Sequence, residues 1–320
     1  MSADYARPLT DDQTIGAFLE HCLGLNGGLT LRDGATFHKR SSISRKLRDV
    51  EAAVAHVAPQ DTLSRISCRD EAYRTETARK DLRLQILGEL CHIERLENDE
   101  EITLGAGGAK PRGTEPLADR KAYIVTGLPA SGKSLLVSAI ADQLGAMIVD
   151  SDYAKRKLPE FDGHAGAQAV HAESALIVEG GDVGSEEQQQ PSLIGFCKRQ
   201  GFNIVMPKIG HDAESLTHLR DALLEASYEV HLTTIELPRG QAALRALTRF
   251  YETERYVPLG RIFDTYANDP ALTYYRFRVQ DINARSSWAS FGALSSEKTG
   301  YSVLDCSNDA NPAAIFRREA

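Results

Sequence analysis

A basic surplus is missing from this 320-residue chain, which carries 37 Lys and Arg against 45 Asp and Glu for a formal charge of −8. Both the first 120 residues and the remainder are net acidic. Binders of nucleic acid or anionic membranes show a basic footprint, so neither partner is expected. Cysteine is also scarce: Cys22, Cys68, Cys91, Cys197 and Cys306 are scattered, odd in number and form no CxxC pair. Such a set supports neither a zinc site nor a disulfide framework and reads as free thiols in a reducing compartment. No stretch approaches the roughly 18 consecutive apolar residues of a membrane span, and residues 1–9 lack a basic segment followed by an apolar run. No leader is therefore expected, and the protein is read as cytoplasmic, export by a route the sequence does not advertise being the alternative. What is present, 42% hydrophobic and 26% charged residues, is ordinary for a globular protein.

The chain divides by pattern. Up to residue 103 it reads as helical. Ile15, Phe18, Leu19, Cys22 and Leu23 recur at helical spacing behind Thr10 as cap, and Leu47, Val50, Val54 and Val57 mark a second amphipathic segment. Leu82, Ile86, Leu90, Ile93 and Leu96 mark a third. Gly27-Gly28 and Asp33-Gly34 punctuate a loop or short hairpin between the first two. No chemical constellation is evident there. Residues 104–119 are rich in Gly and Pro and read as a linker. From 120 to 320, short β-rich runs (Ala122–Thr126, Ala146–Val149, Asn203–Met206, Glu229–Ile235, Tyr301–Leu304) alternate with helices such as Lys133–Leu144, Glu214–Ala226 and Gln241–Tyr251. That alternation predicts an α/β fold with a mostly parallel sheet covered on both faces. The polar stretch 180–191 reads as an exposed loop insertion.

The residues Gly127-Leu128-Pro129-Ala130-Ser131-Gly132-Lys133-Ser134 match the phosphate-loop pattern G-x-x-x-x-G-K-[ST]. Glycines let the backbone turn its N–H groups onto anionic oxygens, and the following helix aims its positive end at the same place. Lys133 would reach the β- and γ-phosphates, and the Ser134 hydroxyl would bind Mg²⁺. A chance match is expected in on the order of one chain in a hundred, and here a strand precedes and a helix follows. Asp150 and Asp152 end the next strand. A right-handed β-α-β crossover brings that end to the sheet edge of the loop, and in an extended segment both carboxylates face one way. Either could accept a substrate proton or hold the Mg²⁺ water shell. Arg239, Arg245, Arg249, Arg255 and Arg261 follow, cations of the kind that stabilise a transferring phosphoryl group; Arg249 to Pro258 has the look of a helix ending in a lid. Two other readings stay open on these residues: a nucleotide-dependent ATPase or switch with water as acceptor, and a kinase of nucleic-acid ends.

Several segments together resemble the zeta-toxin family of P-loop kinases. They are the phosphate loop, Asp150-Ser-Asp152 with the following Tyr-Ala-Lys-Arg-Lys-Leu-Pro-Glu-Phe161, Gly166 to Ser174, Gly201 to Gly210, and the lid segment Arg249 to Arg261. The resemblance implies a P-loop kinase domain over 120–320 preceded by the helical region 1–103. It also implies ATP (GTP being the alternative) and Mg²⁺ as cofactors. The acceptor would be a hydroxyl of a small nucleotide-type substrate, a UDP-amino sugar or NAD, and Leu158 to Phe161 and Val170 to Ser174 look nearer the branch that phosphorylates NAD. A toxin of this kind takes an antitoxin or chaperone protein as partner. Residue by residue, Asp152 matches the catalytic base and Ser134 the Mg²⁺-binding hydroxyl, and Asp150 is assigned to the metal as well. Lys133 matches the phosphate-loop lysine, Arg249 and Arg261 the catalytic lid arginines, and Glu173 a substrate-facing glutamate; Arg255 is assigned to the substrate as well. Where founding members carry a Glu-Gly-Thr-like contact this chain has Pro207-Lys208-Ile209-Gly210. The N-terminal helices are expected either to restrain the kinase by packing over its nucleotide or substrate edge, or to dock as an extension of its core.

Overall fold

A computed structural model describes residues 9–57, 61–161, 166–181, 190–283 and 287–317; most of the insertion expected at 180–191 lies outside them. Helix α1 (Asp12–Ala17) runs into a π turn, Phe18–Cys22. Its cap is Asp11 rather than Thr10: the Asp11 carboxylate accepts from the backbone N–H groups of Gln13 and Thr14 at 3.0 and 2.8 Å, whose donors the helix itself cannot satisfy. The antiparallel hairpin β1 (Gly28–Thr30) and β2 (Phe37–Lys39) follows, then α2 (Arg40–Val57) and α3 (Glu76–His92). The remaining order is β3 (Lys121–Gly127), α4 (Lys133–Leu144), β4 (Met147–Ile148), α5 (Ser151–Lys155), α6 (Gly166–Ala169), α7 (His171–Glu179), α8 (Leu193–Gln200), β5 (Ile204–Pro207), α9 (Ala213–Glu225), β6 (Glu229–Glu236), α10 (Arg239–Thr253), α11 (Asp269–Ile282), β7 (Ser290–Ser295) and β8 (Ser302–Cys306).

The last six strands form one sheet in the order β4-β5-β3-β6-β7-β8. All neighbours are parallel except β7 and β8. This is the α/β architecture the alternating pattern predicts. The centre strands β3 and β6 are buried along almost their whole length, as strands covered by helices on both faces must be. Two polar residues of β6 are paired: His231 Nδ1 lies 2.7 Å from Ser290 Oγ, and Thr233 Oγ1 donates to Asn311 Oδ1 at 3.0 Å.

Two apolar cores result. The larger packs the sheet against its helices and takes in Leu82, Ile86 and Leu90 of α3, with Ile102 and Ala109. The smaller joins Ile15, Phe18 and Leu19 to Ile43 and Leu47 of α2 and to Ala243, Leu247 and Phe250 of α10, and it includes Leu128 of the phosphate loop. Residues 104–119 are bonded along their path. Ile148 N–H donates to Ala109 O at 2.9 Å and Asn203 N–H to Leu117 O at 2.7 Å. A Cβ on Gly108 would fall 2.0 Å from Ile93 O, so only glycine lets this segment lie against the end of α3. No helix among the described residues is long and apolar enough to cross a membrane.

Candidate active site

Because β3, β4 and β5 are parallel neighbours, their carboxyl ends share one edge, and a cavity of about 880 Å³ opens there. Pro129 to Ser134 of the phosphate loop, except Ser131, line it together with Asp150, Asp152, Arg245 and Arg249. The loop is built by sterics. Gly127 (φ 148°) admits no side chain, since a Cβ would lie 2.7 Å from Ile235 O on the next strand, and Gly132 adopts φ 93° to start α4. Ala130 also sits at positive φ, 62°, a conformation most L-residues avoid and one that concentrates at ligand-binding loops. Two residues from the far end of the sheet hold the loop from outside. Ser296 Oγ donates to Ser131 O at 2.7 Å and Tyr301 Oη to Gly132 O at 2.5 Å. Arg245 in turn donates to Ser296 O at 2.6 Å.

Lys133 Nζ donates to Gly127 O and Leu128 O at 2.6 and 2.8 Å. Burial pulls its pKa down to about 8, with Arg249 adding to the effect and Asp150 and Asp152 opposing it. A phosphate beside the ammonium would raise that pKa again and hold the charge. Asp150 and Asp152 do not lie on an extended segment. Asp150 caps α5, accepting from Asp152 N–H at 2.9 Å, and Asp152 stands in the first helical turn; both still line the cavity. Their environments push them apart. Burial, then the charge of Asp152, raises Asp150 to about 7. Burial opposes ionisation of Asp152 too, but Lys155 at 2.6 Å, Arg255 at 3.7 Å and Arg156 outweigh it and hold the carboxyl low. One carboxylate is thus ionised throughout the neutral range, and the other exchanges a proton within it.

Mg²⁺ usually takes one or two protein oxygens and completes its shell with phosphates and waters. Ser134, exposed at the first turn of α4, and Asp150 give that oxygen-only set at the cavity wall. Among the described residues no group of three or more His, Cys, Asp or Glu is placed to cage a metal. Because the folded-state pKa of Asp150 lies above its ordinary 3.8, near 7, ionising it costs the native state stability as pH rises through that interval. Asp150→Asn is therefore expected to melt higher than the wild type at pH 7 and above. The gain should shrink as pH falls toward 4, and thermal melts at several pH values would show whether it does; a gain independent of pH would contradict it.

Of the lid arginines, Arg249 lines the cavity half-buried. Its Nε has no hydrogen-bond partner among the described residues, and burial followed by the charge of Arg255 lowers its pKa. Arg255 is 2.7 Å from Glu100, a carboxylate that also holds Arg156 at 2.9 Å; it reaches Asp152 only at 3.7 Å. Arg261 begins a π turn, Arg261–Tyr266, and is not among the residues that line the cavity. The lid after α10 is pinned from the N-terminal side, where Tyr256 Oη donates to Glu51 and Lys46 Nζ lies 4.6 and 4.5 Å from the Phe250 and Tyr251 rings.

Glu173 does not face substrate. It is fully buried in α7 and accepts from Arg79 at 2.6 and 2.7 Å, Arg83 at 2.6 Å and Thr62 at 2.6 Å. Arg79, itself fully buried, also binds Glu160 at 2.7 Å. Removing one member of such a buried pair leaves uncompensated charge, typically a loss of about 3–5 kcal/mol, and Glu173→Gln is expected to destabilise by that order. Burial raises the Glu173 pKa, but its arginine and threonine bonds prevail and bring it from 4.5 to about 2. The stability it contributes is thus complete above 4.5 and lost as pH falls toward 2. The gap between wild type and variant in denaturant melts should narrow over that window; a constant gap would assign the loss to packing alone.

The N-terminal region, in which no constellation is evident from sequence, supplies Glu100, Arg79, Asp99 and Arg32 to the cavity or its support. Lys208, paired with Glu179 at 2.5 Å, and the His211–Tyr266 ring pair, 5.0 Å apart, complete the wall on the β5 side.

A strand, a glycine-hinged phosphate loop and a helix, facing paired aspartates and arginines across one cavity, define a phosphate-transferring P-loop protein. A model of the family described as Zeta toxin matches residues 107–273, just over half the chain. The chain belongs to the zeta toxin family, and so to the P-loop kinases. Among solved structures, the PezAT chromosomal toxin-antitoxin system of Streptococcus pneumoniae is 16% identical, with 64% of this chain and 78% of that chain covered and a TM-score of 0.44. The AvrRxo1-ORF1:-ORF2 complex is also 16% identical in its native form and with ATP, with 78% of this chain and 71% of that chain covered and TM-scores of 0.44 and 0.46. No curated protein sequence matches.

Proposed function

We propose that the protein is an ATP- and Mg²⁺-dependent kinase that transfers the γ-phosphoryl group to a hydroxyl of a small nucleotide-containing metabolite of the UDP-amino-sugar or NAD type. The observation that carries this is the meeting of Lys133 and Ser134 with Asp152 and Arg249 in one cavity. In the reaction the acceptor oxygen attacks the γ-phosphorus, the bond to the β–γ bridging oxygen breaks, ADP leaves, and the hydroxyl proton passes to Asp152. Lys133 and Arg249 neutralise charge on the transferring oxygens, and the phosphate-loop N–H groups hold the rest of the triphosphate. Mg²⁺, when bound at Ser134 and Asp150, supplies charge neutralisation at the β- and γ-phosphates. Catalysis is then largely positioning.

The cavity, about 880 Å³, is near the top of the roughly 300–1,000 Å³ usual for ligand sites, which suits two substrates side by side. Lys208, His211 and Tyr266 give the acceptor half a cation and stacking rings. Depleting such a metabolite makes the protein a toxin, restrained by an antitoxin or chaperone protein. The test is incubation with ATP and a panel of UDP-sugars, NAD, nucleosides and RNA ends, followed by mass analysis. One nucleotide-type small molecule should gain a phosphoryl group, and phosphorylated RNA ends would overturn the reading. Cells expressing the wild type should grow more slowly than cells expressing Lys133→Ala; equal growth removes the toxin role.

A further inference from the structure

Arg32 lines the same cavity although it lies far outside the segment the family model matches. It stands at the tip of the β1–β2 hairpin, and two observations fix where that tip is held. Leu29 of β1, Leu247 of α10 and Leu128 of the phosphate loop share one apolar cluster, and the His38 ring of β2 lies 4.2 Å from the Tyr251 ring of α10. The tip itself is rigid: the Asp33 carboxylate accepts from the N–H groups of Ala35 and Thr36 at 3.0 and 2.9 Å, and Gly34 N–H donates to Leu31 O at 3.0 Å.

The guanidinium, by contrast, is weakly engaged. Its side chain is 69% exposed, and its ion pair is with Glu252 at 3.8 Å, beyond hydrogen-bond range. Glu252 follows Arg249 by three residues and Arg245 by seven on α10, spacings that put all three on one helix face, and both arginines line the cavity. The hairpin therefore brings a third guanidinium to the phosphate side of the cavity, loosely tied and able to exchange Glu252 for a stronger anion. A guanidinium pairs with a phosphate through two parallel N–H···O bonds.

We propose that Arg32 is a nucleotide-binding residue that pairs with the terminal phosphate of the bound nucleoside triphosphate, so that the N-terminal hairpin completes the kinase site. This rests on the nucleotide reading above. The test is titration of the full-length wild type, Arg32→Ala and Arg32→Lys with Mg²⁺-ATP and with Mg²⁺-ADP, and Arg48→Ala, a half-exposed arginine of α2 paired with Asp12, as control. Loss of a charged hydrogen bond should weaken ATP binding by about tenfold in Arg32→Ala, with ADP changed by less than about twofold. Arg32→Lys should recover part of the loss, and Arg48→Ala should match the wild type. Unchanged ATP affinity, or equal losses for ATP and ADP at a wild-type melting temperature, would overturn the assignment. A wild type that binds neither nucleotide would overturn the kinase reading along with it.

Discussion

Asp152→Asn is expected to lower phosphoryl transfer by roughly 10²–10⁴-fold, the usual contribution of a positioned general base, while ATP still binds. The substitution keeps the shape of the side chain and an oxygen for Lys155, now 2.6 Å away, but removes the proton acceptor. Lys133→Ala should abolish transfer and weaken ATP binding together, since its half-buried ammonium is bonded to the carbonyls of Gly127 and Leu128 in the phosphate loop. Melting temperatures near the wild type would show that the fold survives in both. The pH profile adds a check on the division of labour. Asp152 is held low by Lys155, Arg255 and Arg156 against the opposing effect of burial, so it is ionised well below neutrality. Asp150, raised by burial and by Asp152 to about 7, must lose its proton to bind metal, and activity at limiting Mg²⁺ should decline as pH falls below that value. Full activity in Asp152→Asn would place the base elsewhere.

Deleting residues 1–110 is expected to yield an aggregating or unfolded protein, not a faster kinase. The deleted part supplies Leu82, Ile86, Leu90, Ile102 and Ala109 to the sheet core, each at most 2% exposed. Burying one Leu or Ile side chain contributes about 1.5–3 kcal/mol, so the four Leu and Ile chains together contribute roughly 6–12 kcal/mol, comparable with the roughly 5–15 kcal/mol by which whole domains are stable. The same cut removes Arg79 and Arg83 from the buried Glu173 and uncovers Leu247 and Phe250 of α10. An inhibitory module would come away leaving a folded, more active core. A soluble truncation that melts like the full chain would contradict the packing described here. Static light scattering and a thermal melt of the truncated protein distinguish the two outcomes.

The sequence carries the phosphate loop and five of the six sheet strands plainly, because a loop of fixed spacing and runs of β-branched residues are local signals. Strand β7 escapes that reading. Ser290-Phe-Gly-Ala-Leu-Ser295 is short on β-branched residues, and its Gly292 is needed because a Cβ would meet Asn311 Oδ1 at 2.0 Å, a tertiary constraint. Long-range ion pairs are equally invisible to spacing. Glu173 stands in a plausible substrate position until Arg79, 94 residues earlier, is seen to occupy it. Glu100 and Arg255, 155 residues apart, share no motif. Arg32 is one arginine among many until the hairpin is folded onto α10. The acidic pair was legible as a pair, but its geometry was not, since the helix capped by Asp150 begins within it.

The fate of the γ-phosphate tests the central claim most directly. With γ-labelled ATP, Mg²⁺ and the acceptor found in the panel, the wild type should place the label on that acceptor, while Lys133→Ala and Asp152→Asn leave it on ATP. Label released as inorganic phosphate at the same rate with or without the acceptor would make the protein an ATPase and contradict the account.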